Sequence, residues 1–302
     1  MAKLTILGNS AALPAKNRKL SAHLFEIDGH SLLFDCGEGT QFQLIKFKKS
    51  LLKISKIFIT HLHGDHFYGL PGLLSTMSML KREKPIDIYG PDGLREFLQA
   101  INKVSKSEPS FEQHIHIIDA KNKQLICEEK GFEIYTFPLD HSVTSFGYLV
   151  QQKEFEPNIK KSFVHNNDIA IEWFQRIKNG EDYIDNSGNV FLNKDITEQL
   201  HTPISYAYCT DTGYFPQIAD YINAVTFLYH ESTFLNSEKE DAIAKKHSTA
   251  EDAANIAKLS NADRLLIGHF SARYSDLNDF LKEASPIFPN TIIATEGLEI
   301  DL

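Results

Sequence analysis

The sequence predicts an α/β fold in which short buried strands end in polar, chemically active residues. The clearest such unit runs from Ile57 to Met79, where an apolar β-branched run is followed by the box HLHGDH and then by a mostly apolar helix, residues 69–80. Similar strand endings recur along the chain. Between Gln151 and Asn193 the apolar periodicity weakens and polar residues dominate, which predicts an inserted arm.

The length and composition are those of a globular protein. A chain of 302 residues is near the upper size of one domain, so we expect residues 1–302 to form a single domain that carries the insertion. The content of 42% hydrophobic and 24% charged residues argues against a fibrous or disordered protein. No apolar run approaches the roughly 20 residues that span a bilayer. The N-terminal run is too short for a secretory signal, so we expect a cytoplasmic protein without membrane contact.

Charge and cysteine content narrow the possible functions. The formal net charge of −9 argues against a protein that coats nucleic acid with its whole surface, although it leaves room for a local basic patch. The three cysteines, Cys36, Cys127 and Cys209, lie far apart and form no C-x-x-C pair. We therefore expect buried free thiols and neither disulfides nor a cysteine zinc site.

The box HLHGDH has the spacing of a metal site. His61 and His63 are two residues apart, so in an extended segment both imidazoles leave the same face and can bind one ion. Gly64 turns the chain, and Asp65 and His66 follow at the helix entrance, within reach of a second ion roughly 3.5–4 Å from the first. One loop thus supplies half of a dinuclear site. The alternatives are a histidine-rich surface loop and a single structural zinc that Asp65 does not bind.

Further candidate ligands come at the ends of later strands. His141 follows one predicted strand, although a lone histidine there would more often be a hydrogen-bonded core residue. Asp211 follows another and can offer one carboxylate oxygen to each of two metals, with a turn-forming Asp as the alternative. His269 follows a third. Because successive strands end in such groups, we expect these groups to converge on one edge of the sheets.

A predicted β-hairpin leads to another residue at this edge. Strands 22–27 and 31–36 flank Asp28-Gly29, the strongest short-range hairpin signal. Asp35, near the end of the second strand, is placed to hydrogen-bond a ligand histidine and fix its tautomer. A helix-capping Asp is the alternative.

His247 lies directly before a predicted helix. The stretch KKHSTAEDAANIA has the pattern of a helix start, with Ser248 or Thr249 as N-cap and Glu251 near the third helical position. Because His247 precedes the cap, its imidazole is free to point into a cleft.

Two groups of basic residues are candidates for contact with a polyanion. Lys16, Arg18 and Lys19 lie together in the loop PAKNRKL, which is otherwise interpreted as a solvated loop. Arg273, in GHFSARY, either contacts a phosphate or is structural.

HLHGDH resembles the first metal-binding motif, H-x-H-x-D-H, of the metallo-β-lactamase superfamily. Within that superfamily the chain is similar to the ribonuclease Z family, endonucleases that trim the 3′ trailer from precursor tRNA. The resemblance covers nearly the whole chain outside the arm, and the segments that carry it stand in the family's order: FDCGEGTQ, HLHGDH, PLDHSV, TDT, HST and HFSARY.

The resemblance implies a four-layer αβ/βα sandwich, two zinc ions per subunit, and a homodimer. In this dimer the arm of one subunit, residues 151–193, is an exosite that clamps tRNA for the other subunit. It implies a zinc-dependent endoribonuclease that leaves a 3′-hydroxyl on the tRNA and a 5′-phosphate on the trailer. Asp65 would act as general base and His247 would protonate the leaving oxygen. The implied zinc ligands are His61, His63 and His141 for one ion, Asp65, His66 and His269 for the other, and Asp211 for both.

Two segments depart from the family pattern. In the family's basic loop, P-x-K-x-R-N, Pro14, Lys16 and Arg18 match while Lys19 replaces the asparagine. The arm lacks the family's Gly-Pro pair, although IKNG at 177–180 resembles its Leu-Lys-x-Gly. The metal motifs are unaffected by both departures.

Two other functions fit parts of the sequence. A small-molecule phosphodiesterase or sulfatase of the same fold would use the same dinuclear site, because that site alone does not select a substrate. The inserted arm favours a macromolecular substrate. A non-catalytic RNA-binding relative would have no use for all seven ligands.

Overall fold

Short strands that alternate with turns and helices make up most of the chain. The structure is a computed structural model that describes residues 2–15, 18–106, 109–167 and 169–302. Its strands in chain order are β1 Ala2–Gly8, β2 Ser10–Ala11, β3 Ala22–Ile27, β4 His30–Phe34, β5 Ile54–Phe58, β6 Ile86–Gly90, β7 Gln113–Ile117, β8 Gln124–Glu128, β9 Phe132–Leu139, β10 Ser145–Gln152, β11 Asn158–Ile159, β12 Tyr183–Ile184, β13 Val190–Phe191, β14 Thr197–Glu198, β15 Ser205–Cys209, β16 Phe227–Glu231, β17 Arg264–Gly268, β18 Phe270–Ser271, β19 Thr291–Ile293 and β20 Glu299–Asp301.

The helix predicted at residues 69–80 is present as Leu70–Met79. In the described residues they are α1 Thr40–Lys46, α2 Gly64–Phe67, α3 Leu70–Met79, α4 Leu94–Ser105, α5 Lys161–Asn166, α6 Ile171–Lys178, α7 Asn193–Ile196, α8 Ile218–Tyr221, α9 Lys239–Lys245, α10 Ala250–Leu259 and α11 Asn278–Ala284, with short 3₁₀ turns at Leu51–Lys53 and Asn236–Glu238. The chain divides into two compact units, Met1–Val150 with Ser205–Leu302, and Gln151–Ile204.

Two seven-stranded sheets form the centre of the larger unit. The first has the order β20-β1-β3-β4-β5-β6-β7 and the second β19-β17-β16-β15-β10-β9-β8. From β4 to β7 and from β15 to β19 the neighbouring strands are parallel. The carboxyl ends of parallel neighbours lie at the same edge of a sheet, which is where open α/β sheets place their sites.

Side chains alternate between the two faces of each sheet, so each sheet packs against the other sheet on one face and against helices on its other face. Aromatic rings fill the space between the sheets: Phe34 stacks on Phe58 at 5.1 Å, and Tyr206 of the second sheet contacts Phe34 at 5.8 Å. On its outer face the first sheet packs against α1, α3 and α4, and the second packs against α8, α10 and α11. Ala207, between two inward tyrosines, faces this outer helix layer. The result is the predicted four-layer αβ/βα sandwich.

Two local structures follow from the residues that form them: a hairpin turn and a helix N-cap. Asp28 and Gly29 both have positive φ, 46° and 82°, as a tight hairpin turn between β3 and β4 requires. Thr249 is the N-cap of α10 and forms a capping box. Its partner is Asp252 and not the expected Glu251, because Asp252 is the third residue of the helix.

The 151–204 unit has a small core of its own. Ile177 and Tyr183 are buried there together with Ile169 and Ile196, and the rings of α5, α6 and β13 pack around them. Strands β11 and β14 pair, as do β12 and β13. Acidic residues outnumber basic ones in this unit.

All three cysteines lie within the described residues. All three cysteines are free; Cys36 and Cys209 are buried as expected, whereas Cys127 is half-buried because it lies on β8, at the edge of its sheet. Among the described residues, no helix is both long and apolar enough to cross a bilayer.

Candidate metal centre

Seven histidine and aspartate side chains meet where strands of both sheets end. The box HLHGDH follows β5, and α2 begins inside it at Gly64. Asp211 follows β15, His269 follows β17 and His141 follows β9. The structure therefore brings together every ligand candidate named from the sequence.

The first group consists of His61, His63, His141 and Asp211, whose ligand atoms all lie within 4.8 Å of one another. His63 Nδ1 is 3.1 Å from His61 Nε2 and 3.2 Å from His141 Nε2. Asp211 Oδ2 lies 3.5 Å from His61 Nε2 and 3.7 Å from His141 Nε2. The four donor atoms are close enough together for one ion to bind them all.

The second group consists of Asp65, His66 and His269. His66 Nε2 lies 3.2 Å from His269 Nε2 and 3.4 Å from Asp65 Oδ2. Asp211 Oδ1, the other oxygen of the same carboxylate, is 3.2 Å from His66 Nε2 and 3.1 Å from His269 Nε2. Asp211 thus turns one oxygen toward each group.

The second ring nitrogen of most of these histidines is engaged by the protein, which leaves Nε2 for a metal. Such partners fix the tautomer and orientation of metal-ligating histidines. The pairs are His61 Nδ1 with Thr60 Oγ1 at 3.0 Å, His66 Nδ1 with Asp35 Oδ2 at 2.7 Å, His141 Nδ1 with the Lys246 carbonyl at 3.0 Å, and His269 Nδ1 with Thr233 Oγ1 at 2.9 Å. Imidazole and carboxylate donors in this arrangement fit transition-metal ions.

Asp35 is buried and held by both sheets. Its Oδ1 accepts a hydrogen bond from the Thr60 backbone N–H at 2.8 Å, and the Tyr208 hydroxyl donates to Oδ2 at 3.1 Å. Tyr208 is on β15, the strand that leads to Asp211. Tyr208 was not predicted as a site residue, because strand periodicity does not reveal which residue of the opposite sheet a tyrosine contacts.

We expect Tyr208→Phe to weaken metal binding by the second group by about 10-fold, since lost outer hydrogen bonds typically cost 10–100-fold. The ring stays, so its stacking on Tyr229 at 4.9 Å is retained. Tyr206→Phe is the matched control because the Tyr206 hydroxyl contacts His23 Nδ1 at 2.7 Å instead. Competition with a metal chelator measures both variants, and equal losses would contradict a role through Asp35.

His247 lies between α9 and α10, close to the metal-ligand candidates. Its Nδ1 lies 2.7 Å from Oε1 of the buried Glu231, and its ring is 5.5 Å from that of His269. Burial lowers the pKa of His247, but the Glu231 carboxylate outweighs this and raises that pKa to about 9. His247 is therefore held as an imidazolium near neutral pH, beside the metal groups.

Glu231 and Thr233 were not predicted as site residues. The Thr233 hydroxyl donates to Glu231 Oε2 at 2.6 Å and also lies against His269, so the pair connects His247 to a metal ligand. The sequence signal that was available is a glutamate at the end of the apolar run FLYHE, because a buried carboxylate needs a partner.

Three residues of the site have a left-handed backbone. The φ angles are 55° for Asp35, 30° for Asp211 and 58° for His269. Residues with a Cβ rarely adopt such angles, which persist where the surrounding structure imposes them.

A cleft of about 870 Å³ opens over the two groups and is lined by Asp65, His247 and Arg273 among others. Arg273 lies at its rim, with Nη1 3.0 Å from Glu238 Oε2 and Nη2 3.2 Å from Asp241 Oδ2.

The two remaining candidates for substrate contact belong to the basic loop. The Arg18 guanidinium donates to the carbonyls of Ser271 and Tyr274 at 3.0 and 2.9 Å. Lys16 lies outside the described residues.

Comparisons with known proteins agree with this geometry. The chain is 37% identical over 297 residues to "Ribonuclease Z" of Porphyromonas gingivalis, with 98% of each chain covered, and 42% identical over 296 residues to "Ribonuclease Z" of Cytophaga hutchinsonii, covering 98% of this chain and 94% of the relative. It superposes on human tRNase Z, short form, with a TM-score of 0.72 and 29% identity over 99% of this chain and 98% of that one. The metallo-β-lactamase fold protein YhfI from Bacillus subtilis, 19% identical, gives a TM-score of 0.70 over 99% and 98% of the two chains. Residues 2–156 match the family model described as Anti-Pycsar protein Apyc1.

The fold and the donor set define a metal-binding hydrolase of the metallo-β-lactamase superfamily. By identity and coverage the chain belongs to the ribonuclease Z family, and over residues 2–156 also to the one described as Anti-Pycsar protein Apyc1. The latter match ends before Asp211, His247 and His269. Family membership confirms the predicted enzyme class, an endoribonuclease, and its function in tRNA 3′ processing.

Proposed function

We propose that the chain binds two zinc ions and uses them to remove the 3′ trailer from precursor tRNA. The observation that carries this proposal is Asp211, whose two carboxylate oxygens face two separate groups of donors. His61, His63 and His141 would hold one ion, and Asp65, His66 and His269 the other. When bound, the two ions lower the pKa of water and neutralise charge on the phosphate oxygens.

The residues around the ions have separate roles in this proposal. Asp65 acts as general base; its Oδ2 accepts a hydrogen bond from the Ala12 N–H at 2.8 Å, which fixes the carboxylate at the cleft. His247 donates a proton to the ribose 3′ oxygen that leaves, because Glu231 keeps its ring protonated and oriented. Asp35 orients His66 through the 2.7 Å contact with its Nδ1. The products are a tRNA 3′-hydroxyl and a trailer 5′-phosphate.

Substrate binding uses the cleft and the arm. Arg273 contacts a phosphate at the cleft rim, and we assign phosphate contacts to Lys16 and Arg18 of the basic loop as well. The arm, residues 151–193, is an exosite for tRNA, and the working form is a homodimer. The arm's own core supports this role, since a folded unit is a stable binding surface. The segment IKNG, where α6 ends and Gly180 takes a φ of 98°, is its expected contact loop.

The direct test is cleavage of an end-labelled precursor tRNA by the zinc-loaded protein. One cut immediately after the discriminator nucleotide is expected. Absence of a cut, with a small chromogenic phosphodiester still hydrolysed, would favour the small-molecule phosphodiesterase or sulfatase instead.

Deleting the compact unit that contains the arm tests substrate binding separately from the chemical step. Replacing the unit Gln151–Ile204 by a short Gly/Ser linker is expected to abolish precursor tRNA cleavage and to spare hydrolysis of the small diester. A short linker suffices because the Gln152 N–H donates to the Ile204 carbonyl at 2.9 Å, so the two ends of the unit are adjacent. If tRNA cleavage survives the deletion, the exosite role is wrong; sedimentation showing a monomer at working concentration would contradict the dimer.

A further inference from the structure

A second cavity lies beside the metal cleft and shares one wall with it. It has a volume of about 370 Å³, within the range of small-molecule sites of about 300–1,000 Å³. His247 lines both cavities, and none of the seven predicted metal ligands lines the second. The remaining wall includes Tyr214, which follows the TDT segment, and Asn255 of α10.

The groups in this cavity suit a flat ring with polar edges. Tyr214 is 45% exposed although it lines a cavity. Within the described residues we find no hydrogen-bond partner for the Tyr214 hydroxyl or the Asn255 amide. Asp140 and Lys246 pair with each other at 2.7 Å, and Lys239, Glu251 and Asp252 also line the cavity. An aromatic face and an amide with both a donor and an acceptor are the groups that bind nucleobases.

The position of the cavity follows from the role of His247. If His247 protonates the leaving 3′ oxygen, that oxygen belongs to the last nucleotide that stays on the tRNA. The ribose of that nucleotide must then lie against His247, and its base must occupy space next to the imidazole. The metal cleft holds the scissile phosphate and the trailer, so the cavity on the other side of His247 is the adjacent space.

We propose that this second cavity binds the nucleobase of the nucleotide immediately before the cleavage site, with Tyr214 stacking on the base and Asn255 hydrogen-bonding its edge. This inference rests on the proposed function, since it takes the leaving oxygen to be that of the tRNA.

A double-mutant cycle tests the proposal. Two precursor tRNAs, one intact and one with an abasic ribose before the cleavage site, are cleaved under single-turnover conditions by the zinc-loaded wild type and by Tyr214→Ala. Stacking of one base on an aromatic side chain corresponds to roughly 5- to 150-fold in binding. We expect the abasic RNA to be cleaved at least about 10-fold less efficiently by wild type, and this factor to shrink to about 2-fold or less in Tyr214→Ala.

The matched control is Tyr68→Ala, because Tyr68 is an exposed tyrosine that lines the metal cleft and not the second cavity. Tyr68→Ala should retain the full effect of base removal on cleavage. If that effect disappears in Tyr68→Ala and persists in Tyr214→Ala, the base lies in the metal cleft and the proposal is overturned. An unchanged 10-fold factor in Tyr214→Ala, or no factor in wild type, would overturn it as well. Asn255→Ala repeats the cycle independently if Tyr214→Ala fails to fold by circular dichroism.

Failure of the proposed function gives a different result. In that case wild type cleaves neither RNA while it still hydrolyses a small diester, and both proposals fall together. If wild type cleaves both RNAs equally, the proposed function stands and only the base site is wrong.

Discussion

Asp211→Ala should lose both metal ions and reduce cleavage of precursor tRNA by at least about 10³-fold. The side chain is the only donor shared by the two groups in the described part of the chain, with Oδ2 3.5 Å from His61 Nε2 and Oδ1 3.1 Å from His269 Nε2. Metal ions supply several kcal/mol of charge stabilisation to such reactions, and each 1.36 kcal/mol corresponds to tenfold in rate. Metal content by elemental analysis and single-turnover cleavage measure the two effects.

The control is Asp220→Ala, which removes an exposed carboxylate from α8 and should leave both quantities unchanged. Retention of two ions by Asp211→Ala would show that the carboxylate does not bridge them. Loss of one ion alone would assign Asp211 to a single group.

His247→Ala should lower turnover about 10²- to 10⁴-fold while metal content stays intact. General acid catalysis typically contributes a factor of this size, and Glu231, not a metal group, engages the Nδ1 of this imidazole. Elemental analysis and single-turnover rates distinguish the proton donor from a third metal ligand. Loss of metal in this variant would make His247 structural.

The pH dependence of His247 has a defined direction. Because Glu231 raises the pKa of His247 to about 9, the acid form is present below that value, and turnover should fall as pH rises through about 9. Glu231→Gln removes the charge and keeps the shape, so the alkaline limb of the turnover profile should move to lower pH. An alkaline limb that does not move in Glu231→Gln would rule out this pair as its origin.

The parts of the site that sequence analysis could name are those set by local spacing. His61, His63, Asp65 and His66 occupy one loop, and their relation follows from the extended segment, the Gly64 turn and the helix entrance. Asp211 and His269 could be named because each follows a strand, and parallel strands end at one edge.

Contacts between residues far apart in the chain could not be predicted from the sequence. Tyr208 reaches Asp35 from the opposite sheet, and Thr233 connects Glu231 to His269 across a loop. Strand periodicity reveals neither contact, because the first requires the packing of two sheets and the second joins the ends of two neighbouring strands, β16 and β17.

The fold was predictable at the level of elements and less so in detail. The hairpin turn and the helix starting after Thr249 follow from their residues, whereas the capping partner is Asp252 and not Glu251. The Arg18 guanidinium donates to the Ser271 and Tyr274 carbonyls, an interaction between the two ends of the larger unit that composition does not reveal.

The left-handed backbone of Asp35, Asp211 and His269 sets a limit on how this protein can be improved. Such conformations cost of order 1 kcal/mol or more each, and glycine would adopt them without that cost. At these positions the residue that best suits the backbone lacks the side chain that the chemistry requires. Glycine would gain that backbone energy but lose buried hydrogen bonds such as those of Asp35 with Thr60 and Tyr208, so a laboratory selection for heat resistance that changes these positions must be coupled to turnover.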